Sequence, residues 1–160
     1  MNNSLSLLGL LALGIVTGCS TPMVAENPPA ELVISQSWSG DYPVDELKRL
    51  PEGQQQSRVG YLGSAAAFEA VWSGFKPGEA VPNVDFAKNL VVFSRNLDFY
   101  NRTRILKVML RGDGAAEIIA METMSALPIE DKVAMAMAVI PRAHVKSILN
   151  GAASVPVSEK

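Results

Sequence analysis

Lys132-Val133-Ala134-Met135-Ala136-Met137-Ala138-Val139-Ile140 holds no turn former and alternates large side chains with alanines. A period of two predicts a β-strand, and a strand apolar on both faces is covered on both. Val133, Met135, Met137 and Val139 fill one side. Ala134, Ala136 and Ala138 line the other and admit the close approach of another layer, for which a helix carrying Phe68 and Trp72 is the candidate. Pro141, which has no N–H for a ladder, ends the run.

Further strands flank it. Asn89-Leu90-Val91-Val92-Phe93-Ser94-Arg95 is an apolar run of the central-strand kind. Thr103 to Arg111 alternates, with Leu106, Val108 and Leu110 on one face and Ile105, Lys107 and Met109 on the other. Gly112-Asp113-Gly114 makes a tight turn, and Ala115 to Thr123 returns. Upstream, Glu31 to Ser39 reads as a strand broken by Gly40-Asp41-Tyr42-Pro43. Pro51 to Gln56 is a loop, and Arg58 to Gly63 a short strand. Ser64 suits a helix N-cap, Phe68, Val71, Trp72 and Phe75 form a helical stripe, and Gly74 with Lys76-Pro77-Gly78 stops it. The fold expected is α+β, mainly β: an antiparallel sheet of about five to six strands packed on one helix.

If the C-terminal strands form a meander, alternate turns lie at the same end of the sheet. The 96–102 and 124–131 loops are then neighbours, with the Gly112–Gly114 turn at the far end. The first loop and its flank hold Arg95, Asn96, Asp98, Phe99, Tyr100, Asn101 and Arg102, and it is long for a hairpin. The second end contributes Glu122, Thr123, Ser125, Glu130 and Asp131. Together they make a candidate binding site, since arginine and tyrosine offer rigid surface and directional hydrogen bonds. The alternative is structural: Arg95, Arg102 and Arg104 pair with Asp98, Glu122, Glu130 or Asp131 and hold the loops.

The chain has 160 residues, 14 basic and 16 acidic, for a net charge of -2, so no basic excess points to nucleic acid. With 48% apolar and 19% charged residues it can bury a core. The apolar run Leu5 to Val16 is too short to span a bilayer and matches the apolar region of a secretory signal. Val16-Thr17-Gly18-Cys19 follows and resembles a bacterial lipobox, with the sole cysteine at the position that receives lipid. That resemblance implies cleavage before Cys19 and acylation, which anchors the protein in a lipid bilayer; several acyl chains hold where one is marginal. Ser20, rather than aspartate, implies the periplasmic face of an outer membrane. Residues 1–18 are then a signal peptide, 19–30 a proline-containing tether, 31–150 one globular domain and 151–160 a flexible tail.

Signals for catalysis are weak. His144 is the only histidine and reads as a surface residue, and no Gly-x-Ser-x-Gly elbow accompanies it. One cysteine and one histidine exclude Cys/His zinc sets. Glu130-Asp131 lacks the surroundings of a calcium loop. Met121, Met124, Met135 and Met137 raise copper, but strand spacing assigns them to packing. No metal or cofactor is expected. A pair such as Glu122 with Glu130 could serve an envelope hydrolase, the third reading after protein binding and small-ligand binding.

Phe68-Glu69-Ala70-Val71-Trp72, then Pro82-Asn83-Val84-Asp85-Phe86-Ala87-Lys88-Asn89-Leu90-Val91-Val92-Phe93, resembles the small domain of protease-complex-associated bacterial lipoproteins, the PrcB C-terminal type. The likeness covers roughly residues 64–93 and is mostly a helix–strand packing signature. It implies a noncatalytic accessory or adaptor role, binding another envelope protein, and carries over no catalytic residues. The small-ligand or glycan-binding reading uses the same loops.

Overall fold

The computed structural model describes residues 28–96, 102–123 and 131–158. The chain is α+β and mainly β. The described residues form nine strands in two sheets, where a single sheet was expected, and one α-helix. The strands are β1 (Ala30–Leu32), β2 (Gln36–Pro43), β3 (Val59–Leu62), β4 (Asn89–Arg95), β5 (Thr103–Leu110), β6 (Ala115–Glu122), β7 (Lys132–Pro141), β8 (Ser147–Asn150) and β9 (Ala153–Pro156); α1 is Ala65–Phe75. One sheet runs β2-β7-β4-β3 and the other β1-β5-β6-β8-β9. All pairs are antiparallel except β6 with β8, which is parallel.

The C-terminal half is therefore no meander. β5 and β6 form a hairpin in the five-stranded sheet, while β4 and β7 pair in the four-stranded one. The chain crosses between sheets after β4 and crosses back after β6. Both crossings leave from the same end, because β4 and β7 are antiparallel, as are β5 and β6. The flanks of the two loops are thus brought to one end by a route other than the one expected.

Three layers result: α1, the four-stranded sheet, and the five-stranded sheet. The large face of β7 turns to the helix. Met135, Met137 and Val139 share one core with Phe68, Val71, Trp72 and Phe75 of α1. The alanine face turns the other way: Ala136 and Ala138 pack with Ile105, Val108, Ile118 and Ile148 of the opposing sheet. Sheet-on-sheet contact, not the helix, is what the alanines accommodate. A thick apolar row suits the gap beneath a helix, and a methyl row lets two pleated backbones close up.

Local chemistry explains the helix. Ser64 caps it, its Oγ accepting from Ala67 N at 3.3 Å. Trp38, Phe68 and Trp72 stack mutually, with ring centroids 5.2 to 5.7 Å apart. Gly74 lies inside the helix; a Cβ there would come 3.2 Å from the Tyr42 ring, so the glycine serves close packing. The stop comes after Phe75, with Gly78 at φ +81°. Asp85 turns the chain into β4, its Oδ1 accepting from Ala87 N at 3.0 Å.

Three further expectations are corrected. Glu31 to Ser39 is two strands in different sheets, and β2 continues through Gly40–Pro43. The sequence turn formers there are absorbed because β2 is an edge strand, where proline costs no ladder bond. The two faces of β5 change phase at Leu106, where a bulge separates Ile105 from Lys107, so Ile105 and Val108 both point inward. Residues 151–160 are not simply a tail: β9 pairs β8, and Val155 is buried.

Tyr42 reports on the helix-side core. It is fully buried, and its hydroxyl donates to the Glu46 carbonyl at 2.9 Å. Burial first, and Glu46 second, push its phenol up to about 12. The fold favours the neutral phenol, so this stabilisation is complete below the unfolded value near pH 10 and is lost as pH rises toward about 12. Phenolate absorbance should show Tyr42 ionising last, in step with alkaline unfolding, and Tyr42→Phe should remove that final phase. Ionisation of Tyr42 near pH 10 in folded protein would contradict the packing.

Candidate functional site

The candidate residues separate by strand parity. On β4, Val91 and Phe93 face the helix while Leu90 and Val92 face the second sheet. Arg95 continues the odd series. It is completely buried, and it is not a surface binding residue as expected. Its Nε donates to Ser57 O at 2.6 Å, and its Nη2 donates to the Gln55 and Gln54 carbonyls. Burial lowers its guanidinium to about 10, so it stays charged at neutral pH. Arg95 is a clamp that holds the 51–58 loop through Nε and Nη2, while its buried Nη1 has no hydrogen-bond partner among the described residues.

Asn96 continues the even series, and its Nδ2 donates to Glu122 Oε2 at 3.2 Å. Thr123 N donates to the Arg102 carbonyl at 3.1 Å, and Asn96 N donates to Ala134 O at 3.1 Å. These bonds tie the flanks of both loops together. Asn96, Arg102 and Glu122 are therefore neighbours, with Asn96 buried and Arg102 and Glu122 exposed. Asp131 is exposed, and its carbonyl accepts from Val44 N at 2.9 Å. Asp98, Tyr100, Asn101 and Glu130 lie outside the described residues, as does Cys19.

A cleft of about 600 Å³ opens at this end, between the margins of the two sheets. Ser39 and Asp41 of β2 form one wall, and Arg102, Arg104 and Met121 the other, with Ala134 between. Sequence reasoning missed Ser39 and Asp41 because it ended the strand at Gly40. The signal was present: Ser37, Ser39 and Asp41 alternate with Trp38 and Tyr42 at the same period of two. Asp41 Oδ2 meets Lys132 Nζ at 3.2 Å, so the β2 wall is charge-balanced while two arginines stand opposite.

The cleft adjoins the outer face of the five-stranded sheet. Register places Arg104 beside Met121, Lys107 beside Ile119, and Glu31, Met109, Glu117 and Leu149 in one row across four strands. Met109, Ile119, Met121 and Leu149 belong to neither core. Met121 is 49% exposed and Leu106, at the bulge, 52%. The expectation that Met121 packs inside is corrected; Met135 and Met137 do so, on the far side of the other sheet. Among the described residues no second layer covers this face.

His144 is exposed in the turn after β7, with φ 65°. Among the described residues no three His, Cys, Asp or Glu side chains converge as a metal cluster. No helix among them is long and apolar enough to cross a membrane. No protein-family model matches the chain, and no curated protein or solved structure shows significant similarity to it.

Proposed function

We propose that this is a lipid-anchored, noncatalytic binding module of the bacterial envelope, held by acylated Cys19 at the periplasmic face of the outer membrane. Its partner is an envelope protein that presents an acidic and apolar segment. The observation that carries this reading is a sheet face that no second layer covers among the described residues: four apolar side chains outside both cores, Met121 exposed and Met109, Ile119 and Leu149 half-buried, framed by charged ones. Met121 and Leu106 are the exposed large apolar side chains of this face, and methionine and arginine are enriched where proteins meet. Arg102, Arg104 and Lys107 make the cleft end of that face cationic, which selects an acidic partner. The helix–strand signature over residues 64–93, with its resemblance to accessory lipoproteins, supports the same role.

Met121→Glu combined with Arg104→Glu reverses both the apolar and the cationic character of the face without touching either core. Loss of about 2 kcal/mol or more, roughly 30-fold in affinity, is expected for co-purified partner. Wild-type retention of the partner would reject the face. Cys19→Ser should release the protein from the membrane, and intact mass should show acyl chains on residue 19. An uncleaved, unmodified chain would end the anchoring half of the proposal.

A second reading rests on the cleft itself. About 600 Å³ lies within the size range of small-molecule sites. A ligand there, a glycan included, would meet Arg102 and Thr103 on one wall and Asp41 on the other. Titration shifts confined to these residues, with no protein retained, would favour it.

A further inference from the structure

The opposite end of β7 carries a second cavity, of about 760 Å³, outside the proposed partner surface. Ala134 lines the first cleft and Arg142 the second, eight residues along, or about 26 Å at strand rise. Its walls are Phe86, Ala87, Val145 and Val157, and its cations are Arg142 and Lys146. The backbone around it is tied down on every side. Arg142 N donates to Lys88 O and Lys146 N to Gly114 O, each at 2.8 Å; Val157 N donates to Lys146 O at 2.8 Å. Ser158 N donates to Tyr61 Oη at 2.9 Å. Gly114, at φ +91°, is required beneath Lys146: a Cβ would meet that side chain's stem at 2.9 Å.

Among the described residues the two cations have no counter-charge. Arg142 Nη2 donates to Gly63 O at 2.8 Å, which fixes the guanidinium plane, while its buried Nε has no partner. Among the described residues no carboxylate pairs with Arg142 or Lys146; the nearby Asp85 is engaged by Lys88 at 3.6 Å. A fixed planar fork beside a point-charge ammonium suits an anionic head. An apolar wall beneath them suits a hydrocarbon or aromatic body. We infer that this cavity binds an anionic amphiphile, a phosphate or carboxylate head on an apolar body, with Arg142 and Lys146 on the head and Phe86, Val145 and Val157 on the body.

The test uses the full chain carried in neutral phosphatidylcholine nanodiscs and follows amide shifts on titration with octyl phosphate. Shifts should centre on residues 86–87, 142–146 and 157. Octanol and inorganic phosphate, each lacking one half of the chemistry, should bind at least about tenfold more weakly. Lys146→Gln, which keeps the stem over Gly114, should weaken octyl phosphate by about tenfold and leave the fold intact; Arg142→Gln should weaken it further. Phosphatidylglycerol added to the nanodisc separates the sources. Shifts at the same residues without octyl phosphate identify a bilayer lipid as ligand, and their absence identifies a free amphiphile. Octyl phosphate binding elsewhere, binding indifferent to Lys146→Gln, equal binding of octanol, or no binding would each overturn the inference.

Discussion

Gly60→Ala should cost about 3 kcal/mol and lower Tm by roughly 10 °C, a large effect for one methyl group. Gly60 is buried in β3 opposite Phe93 of β4. A Cβ there would stand 2.1 Å from Gln54 Oε1 and 2.4 Å from the Phe93 ring. Neither neighbour is free to yield. Gln54 is 5% exposed, and its Oε1 accepts from Tyr61 N at 2.7 Å. Phe93 is completely buried in the helix-side core. Displacing Gln54 breaks that bond and leaves a buried amide unpaired, which adds to the overpacking. Thermal unfolding of the variant beside Gly53→Ala, whose Cβ would meet nothing within 4 Å but whose φ is +78°, separates crowding from backbone strain. The crowding variant should be the worse of the two; the reverse order would contradict the packing around Gly60.

Arg95→Ala should cost about 4 kcal/mol, and the loss should concentrate in the 51–58 loop. Arg95 anchors that loop through the carbonyls of Gln54, Gln55 and Ser57; truncation removes the side-chain donor from the part-buried Gln55 and Ser57 carbonyls, while Gln54 O keeps its bond from Ser57 N. It also leaves a cavity the size of a long side chain between the loop and the Tyr42 core. Arg95→Met refills much of the volume but supplies no donor, so it should recover only part of the loss. Hydrogen exchange should speed at Gln54 and Ser57, whose amides donate to Pro51 O and Gln54 O at 3.0 and 3.1 Å. A surface binding residue would behave in the opposite way, with stability changing by less than about 0.5 kcal/mol while partner affinity falls.

Much of this architecture was legible because period-two alternation survives burial. β4, β6 and β7 were readable from their apolar runs, and α1 from Ser64 and its aromatic stripe. Which layer covers which face was not. Alanines at Ala136 and Ala138 announce a close neighbour, yet a helix and a sheet both satisfy that description, and only long-range pairing chooses between them. Pairing also decided the sheet count, since a chain that alternates strands between two sheets has the same local signals as a meander. The Leu106 bulge inserts a residue without any glycine to mark it. Arg95 shows the same limit at the site. Its charge and its place beside a polar loop suggested exposure, and only strand parity together with the carbonyls of the distant 54–57 turn reveals the clamp. Asn96, Arg102 and Glu122 were brought together as expected, because both loop flanks leave from one end of their sheets in either topology.

Photocrosslinking in cells from position 121, with a photoreactive residue replacing Met121 in the lipidated protein, tests the binding proposal most directly. Mass spectrometry should find one envelope protein attached in stoichiometric yield, through an acidic and apolar segment, and the same label at exposed Glu52, in the 51–58 loop, should capture none of it. Equal capture from both positions, or no protein above background from position 121, would contradict a partner on the outer sheet face.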